Sequence, residues 1–513
     1  MLLHHFFEDT VSRLPNKLVL ICDGERLTYS QLDIRVNQLA SLLRMRGVSR
    51  GERVALFLDN RTELVVSVLA TLRIGAVFMP VNALTKYDKL AFMLNDARAS
   101  ALITHAALSI TWRRALAANS TIRTCVVVDA VAIPDKDTLP ERCLHYPPPT
   151  QIFPDTEADV HSIDQDLAAI IYTSGSTGHP KGVMLTHLNM ISAAHSVSSY
   201  LGLNQNDVIL CALPLAFDYG LYQLLMSVKA SATLVLERSF TFPIKVLERM
   251  AAERVTVFPG VPTMFSLLMN LNGLENFDLS SLRMITNTAA ALSEEHIRRL
   301  RALFPQATLF SMYGLTECKR VTYLPPDQLD VRPTSVGRGM PNEEVWLVDD
   351  AGERLPNGST GELVIRGSNV MRGYWENPVE TAKRLKPGPN AGEMVLYSGD
   401  LFRTDSEGWL YFVARRDDII KSRGEKVSPR EVENAIYSLE GVLDAVVVGV
   451  EDALLGEAIK AFIVRKSGYT LSERDVIRHC LGRLENFMAP KFVEFVTQLP
   501  MTDTGKIKRT GLS

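Results

Sequence analysis

Short apolar runs alternate with helix-like segments over the first 145 residues, and this alternation restricts the possible folds more than any other feature. Val54-Ala55-Leu56-Phe57-Leu58 and Cys125-Val126-Val127-Val128 read as strands. Between such runs lies a segment with apolar positions Leu32, Val36, Leu39 and Leu43, which fits one face of a helix. Thr28 and Gln31 have the spacing of a capping box at its start, and Gly47 is placed to end it. Strands alternating with helices predict an α/β fold with largely parallel sheets.

The pattern changes three times further on. Pro147-Pro148-Pro149-Thr150 and Pro154 mark a linker or subdomain crossing, and a second α/β stretch follows over about 166–330. Residues from about 336 to 415 become strand-rich, with turns at Asn357-Gly358, Gly392 and Gly408. Beyond about 416, Ser428-Pro429-Arg430-Glu431 opens a new helix with an N-cap, a first-turn proline and a capping acid. Apolar strands at 445–450 and 459–464, a helix at about 472–485 and a strand near 491–497 complete a small α+β unit. The expected architecture is a large N-terminal domain, 1–416, of stacked α/β subdomains plus a β-rich subdomain. A small C-terminal domain, 417–513, would follow, with Arg415-Arg416-Asp417-Asp418 as the hinge.

Composition removes several function classes. Apolar residues make up 46% of the 513 and charged residues 22%, enough for a large core and too apolar for a disordered chain. Lys+Arg 55 against Asp+Glu 58 leaves a net charge of −3, which fits neither a nucleic-acid partner nor polybasic membrane binding. The six cysteines form no CxxC pair, so a zinc ribbon, a thioredoxin-type site and a disulfide scaffold are not expected. The most apolar stretch, 64–84, is interrupted by Arg73, so no transmembrane segment is expected. An N-terminus without a basic start then predicts a cytoplasmic protein.

The strongest chemical signal begins where an apolar strand, Ile170-Ile171-Tyr172, runs into Thr173-Ser174-Gly175-Ser176-Thr177-Gly178-His179-Pro180-Lys181-Gly182. Glycines let backbone N–H groups approach an anion, hydroxyls donate to phosphate oxygens, and Lys181 adds charge. A Walker loop is ruled out, because Pro180 precedes Lys181 and Gly182 follows it.

This string resembles the phosphate loop of the adenylate-forming enzymes: acyl- and aryl-CoA synthetases, amino-acid adenylation domains and firefly luciferase. Leu72-Arg73-Ile74-Gly75-Ala76-Val77-Phe78-Met79-Pro80 is similar to that family's early signature. Tyr313-Gly314-Leu315-Thr316-Glu317 resembles its adenine and magnesium motif, and Tyr397-Ser398-Gly399-Asp400 its ribose motif. Arg415-Arg416-Asp417-Asp418 looks like its hinge, and Thr504-Gly505-Lys506-Ile507 like its C-terminal lysine motif. The resemblance implies ATP and Mg²⁺ as cofactors. Tyr313 would stack on adenine, Ala289 and Ala290 would join the nucleotide site, and Asp400 and Arg415 would hold the ribose. Thr316 would donate to the α-phosphate, Glu317 would be the metal ligand, and Lys506 would bridge the acid and the phosphates. The implied chemistry has two steps. A carboxylate displaces pyrophosphate from ATP, and a thiol then displaces AMP, with the small domain swinging about Asp417 between them.

The acid and the thiol are less legible. Asp218, Tyr219, Tyr222, Thr263, Asn287 and Met312 are the candidate acid-binding residues, and Tyr222 with Met312 suggests a mostly apolar pocket. Asp218 either pairs with the ammonium group of an amino-acid substrate or caps the helix that begins beside it. Lys319 and Arg320 either meet a second acidic group or lie on a solvated face. No carrier domain is recognised within the chain. The thiol is therefore expected from CoA or from the phosphopantetheine of a separate acyl or peptidyl carrier protein. An acid–CoA ligase is the leading reading and a stand-alone amino-acid adenylating enzyme the alternative.

Overall fold

The computed structural model describes residues 1–129, 140–146, 161–173, 180–288, 292–422, 425–452, 456–484, 486–501, 507–509 and 511–512. The linker expected at 147–154 lies outside them.

Among these residues, two large sheets form the body of the chain. In the eight-stranded sheet, Leu167–Thr173, Val77–Val81, Arg53–Phe57, Ala101–His105, Thr124–Val128 and Cys143–Tyr146 are mutually parallel neighbours. Every residue of 77–81, 101–105 and 124–128 is buried, as expected of strands covered on both faces. The two faces go to different cores: Val54 and Leu56 join the largest apolar cluster, Ala55 and Phe57 a second one. The nine-stranded sheet contains a parallel run of Thr308–Tyr313, Met284–Asn287, Val257–Gly260, Val208–Cys211, Thr233–Leu236 and Leu18–Cys22.

The apolar stretch at 64–84 resolves into a helix, Thr62–Arg73, buried along nearly its whole length, and the strand Val77–Val81. No described helix is long and apolar enough to cross a membrane. The helix Tyr29–Met45 starts at the expected capping box, with the Thr28 amide donating to Gln31 Oε1 at 2.9 Å. All six cysteines are buried free thiols.

The strand-rich region forms an antiparallel sheet of Glu343–Val348, Thr360–Gly367, Met394–Thr404, Leu385–Pro387 and Leu410–Arg415. The C-terminal unit is α+β. Its helix Pro429–Tyr437 is capped by Ser428, which accepts from the Glu431 amide. The strands Val442–Asp452, Gly456–Arg465 and Phe492–Phe495 and the helix Glu473–Leu481 enclose a separate core that includes Val432, Ile436, Val447, Ile463 and Val476. This small domain meets the large one where Tyr437 packs edge-on against His296, with ring centres 5.7 Å apart.

Candidate active site

Thr173 ends one strand and Lys181 begins the next, and the two residues are register partners in an antiparallel pair. The candidate phosphate loop is thus anchored at both ends, while Ser174, Gly175, Ser176, Thr177 and Gly178 lie outside the described residues. Lys181 forms an ion pair with Glu380, and its ammonium lies 5.7 Å from the centre of the Tyr374 ring. Hydrogen bonds from Lys181 and Lys383 lower the Glu380 carboxyl to about 2. The Tyr374 hydroxyl donates to Glu317 Oε1 at 2.7 Å, and the Met371 amide donates to the Glu317 carbonyl at 2.7 Å. These contacts link the exit of the phosphate loop to the Thr316-Glu317 turn.

The other side of that turn is held by Tyr313, the last residue of a parallel strand. Its hydroxyl donates to Asp400 Oδ2 at 2.6 Å. Asp400 stands opposite Arg415 in the antiparallel sheet, with Arg415 Nε 3.9 Å from Asp400 Oδ1. Burial raises the Asp400 carboxyl, and Arg415 and the Tyr313 hydroxyl oppose that rise. Before Asp400, Gly399 sits at φ +74, a backbone conformation that residues with side chains rarely adopt. Tyr313, Asp400 and Arg415 therefore meet, and the Tyr374–Glu317 contact joins them to Lys181. Ala289, Ala290 and Lys506 lie outside the described residues. Asp417 falls in the short 3₁₀ turn Arg416–Asp418, directly after the strand Leu410–Arg415.

The candidate acid side is built on the helix Asp218–Lys229 and the ends of neighbouring strands. Asp218 is its first residue, and Phe217 holds the cap position without a side-chain capping bond, so Asp218 does not cap the helix. The Tyr219 hydroxyl donates to the Thr286 carbonyl at 2.8 Å, the Tyr222 hydroxyl bonds the Met190 carbonyl at 3.4 Å, and Met312 Sδ accepts from the Tyr200 hydroxyl at 2.9 Å. Asn287 is fully buried at a strand end, and Thr263 is half-buried in the first turn of the helix Pro262–Met269.

One of the two alternatives for Lys319 and Arg320 fails here. Lys319 and Arg320 are not on a solvated face: they are 1% and 3% exposed. The Lys319 ammonium lies 5.4 Å from the Tyr222 ring centre, and the Arg320 guanidinium 4.5 Å from that of Tyr219. Two cations therefore sit over Tyr219 and Tyr222, two of the candidate acid-binding residues. Burial lowers the Lys319 ammonium to about 8, with Asp218 opposing the shift. Sequence reasoning also missed Tyr374, Glu380 and Arg384. Nothing in their spacing marks them, because their roles come from contacts across the fold.

The AMP-binding enzyme family matches residues 7–375, and the family of its C-terminal domain matches residues 431–506. The chain belongs to the adenylate-forming, AMP-binding enzymes. A long-chain-fatty-acid–CoA ligase of Bacillus subtilis (strain 168) is 31% identical over 542 residues, covering 99% of this chain and 94% of that protein. Tyrocidine synthase 2 of Brevibacillus parabrevis is 28% identical over 516 residues, covering 99% of this chain but 14% of that much longer protein. Among solved structures, the anthranilate CoA ligase AuaEII in complex with anthranoyl-AMP superposes with a TM-score of 0.89 at 26% identity, covering 100% of this chain and 96% of that one. As an adenylate-forming enzyme of the acyl-CoA synthetase-like ligases, this chain uses ATP to activate a carboxylic acid as an acyl-adenylate.

Proposed function

We propose that the enzyme transfers its activated acid to CoA, releasing AMP and a thioester. The observation that carries the adenylation step of this reading is the convergence of Lys181, Glu317, Tyr313, Asp400 and Arg415 around one turn, drawn from three different sheets. Tyr313 stacks on adenine, Asp400 and Arg415 take the ribose hydroxyls, and Ala289 and Ala290 complete the nucleotide site. The loop from Thr173 to Lys181 receives the β- and γ-phosphates, and Thr316 donates to the α-phosphate. One protein carboxylate beside phosphate oxygens and water suits Mg²⁺, so Glu317 fits a metal ligand. When bound, the ion neutralises charge on the phosphates.

Lys506 brings the substrate carboxylate against the α-phosphate, and the small domain carries it there by turning about Asp417. The separate core of residues 417–513 supports such a rigid-body turn. The full-length B. subtilis CoA ligase among the relatives supports CoA as acceptor.

Acid-dependent ATP–pyrophosphate exchange, followed by AMP and thioester formation on adding CoA, is the expected result. Formation of ADP instead of AMP would overturn the reading. One observation favours a second reading, a carrier-protein-loading amino-acid adenylating enzyme: Asp218 points to no capping role and follows Phe217 at the mouth of the acid helix. Exchange with an α-amino acid that is lost in Asp218→Ala would select it.

A further inference from the structure

Lys319 carries three independent penalties. Its side chain is almost fully buried, its Nζ has no hydrogen-bond partner among the described residues, and its backbone sits at φ +73, a strained region for a residue with a side chain. Arg320 repeats two of them: it is buried, and its Nε has no partner among the described residues. One of its other nitrogens donates to the Lys319 carbonyl at 3.2 Å. An uncharged side chain of similar length would fill the same space at lower cost, so packing does not account for two adjacent buried cations.

The surrounding charges do not neutralise them. Asp218, on the facing helix, supports the Lys319 charge without forming an ion pair with it. Glu317 is engaged by Tyr374, and Glu343, beyond Cys318, is pushed toward its neutral form by burial. Two cations thus face one carboxylate, and they lie over Tyr219 and Tyr222, two of the candidate acid-binding residues.

We propose that the acid this enzyme activates carries a second carboxylate, received by Lys319 and Arg320. This rests on the acid activation described above and names the substrate class of that site. An α-amino acid would place an ammonium group beside two existing cations and leave both unpaired. A dicarboxylic acid supplies the missing partner and exchanges the hydration of its far end for charge-assisted hydrogen bonds.

The test uses the full-length enzyme in ATP–pyrophosphate exchange. A series of linear dicarboxylic acids is compared with methyl-ended monocarboxylic acids of equal length and with α-amino acids. One dicarboxylic acid is expected to show kcat/KM at least ~10²-fold above its methyl-ended partner, as a site built around polar contacts rejects an analogue lacking them. In Lys319→Met, the KM for that acid should rise about 10²-fold, the KM for ATP should stay unchanged, and the preference should move toward the methyl-ended acid. Arg320→Met, read the same way, keeps the test intact should Lys319→Met fail to fold. Equal preference in the wild type and both variants would overturn the proposal, as would preference for an α-amino acid. Exchange with monocarboxylic acids alone would remove the second carboxylate but keep adenylate formation. Absence of exchange with every acid would remove both.

Discussion

The residues proposed for the nucleotide end of the site and those proposed for its acid end treat their charges differently. At the nucleotide end, each ionised group already has a protein partner: Lys181 has Glu380, Glu317 has the Tyr374 hydroxyl, and Asp400 has Tyr313 and Arg415. At the acid end, Lys319 and Arg320 are buried with nitrogens that lack partners among the described residues. The first end is preorganised and internally balanced, so its ligand exchanges one set of hydrogen bonds for another. The second remains electrostatically incomplete, so specificity concentrates there: an unpaired buried charge penalises every substrate that cannot complete it.

Four measurements sharpen or break this contrast. The largest effect belongs to neither end but to the group proposed to connect them. Lys506→Ala should lower acid-dependent pyrophosphate exchange by about 10²–10³-fold, yet leave CoA acylation from supplied acyl-adenylate largely intact. An equal loss in both half-reactions would refute the domain turn. Next, Asp400→Ala should raise the KM for ATP by about 10–100-fold while leaving the KM for the acid within a few-fold, because it removes charge-assisted contacts from the nucleotide end alone. Steady-state kinetics with each substrate varied in turn checks it.

The third compares stability with function at Lys319. Its folded pKa of about 8 lies below the ordinary lysine value, so the unfolded chain holds more protons between the two. Stability contributed at this site therefore rises as pH increases from about 8 toward 10.5, and below 8 the buried charge costs about 3 kcal/mol. Lys319→Met should raise the melting temperature at pH 7 while weakening acid binding. In the wild type, the KM for the acid should climb above pH 8 as the ammonium deprotonates; Asp218, Glu317, Cys318 and Arg320 are the groups whose charges act on it. A lower melting temperature in Lys319→Met would mean that the lysine serves packing after all.

The smallest effect is expected at Glu380, whose charge belongs to the balanced end. Its carboxyl is depressed to about 2, so its ion-pair contribution is fully present above about pH 4.5 and is lost as pH falls toward 2. Glu380→Gln should cost no more than about 1 kcal/mol, read by chemical denaturation at neutral pH. A larger loss would show that the Lys181 pair organises the phosphate loop's anchor.

Much of the fold could be read from local sequence because local physics decides it. The Thr28–Gln31 capping box and the Ser428 N-cap form as the spacing requires, and the runs at 54–58 and 125–128 fall in central parallel strands. The helix expected at 472–485 is shorter than its pattern, Glu473–Leu481, with Gly482 at its C-cap. The family resemblance, rather than local physics, groups Tyr313, Asp400 and Arg415, and they do meet. The acid end could not be read this way. Thr316-Glu317-Cys318-Lys319-Arg320 has the composition of a solvated turn, and what buries it is a doubling back of the chain onto Gly314. A Cβ on Gly314 would lie 2.3 Å from the Lys319 carbonyl oxygen, a proximity that no periodicity encodes. Tyr374 likewise reaches Glu317 across 57 residues of chain.

The bond between Tyr313 and Asp400 has a mechanical consequence. Its donor ends a strand of one sheet and its acceptor lies within a long strand of another, so the contact works as a rivet between two layers. A nucleotide gripping both residues fastens the same joint from outside, and at one hundred times its dissociation constant it would add about 2.7 kcal/mol against unfolding. Heat resistance of the whole chain thereby becomes a gauge of how full the nucleotide end is, readable before any acid has been identified.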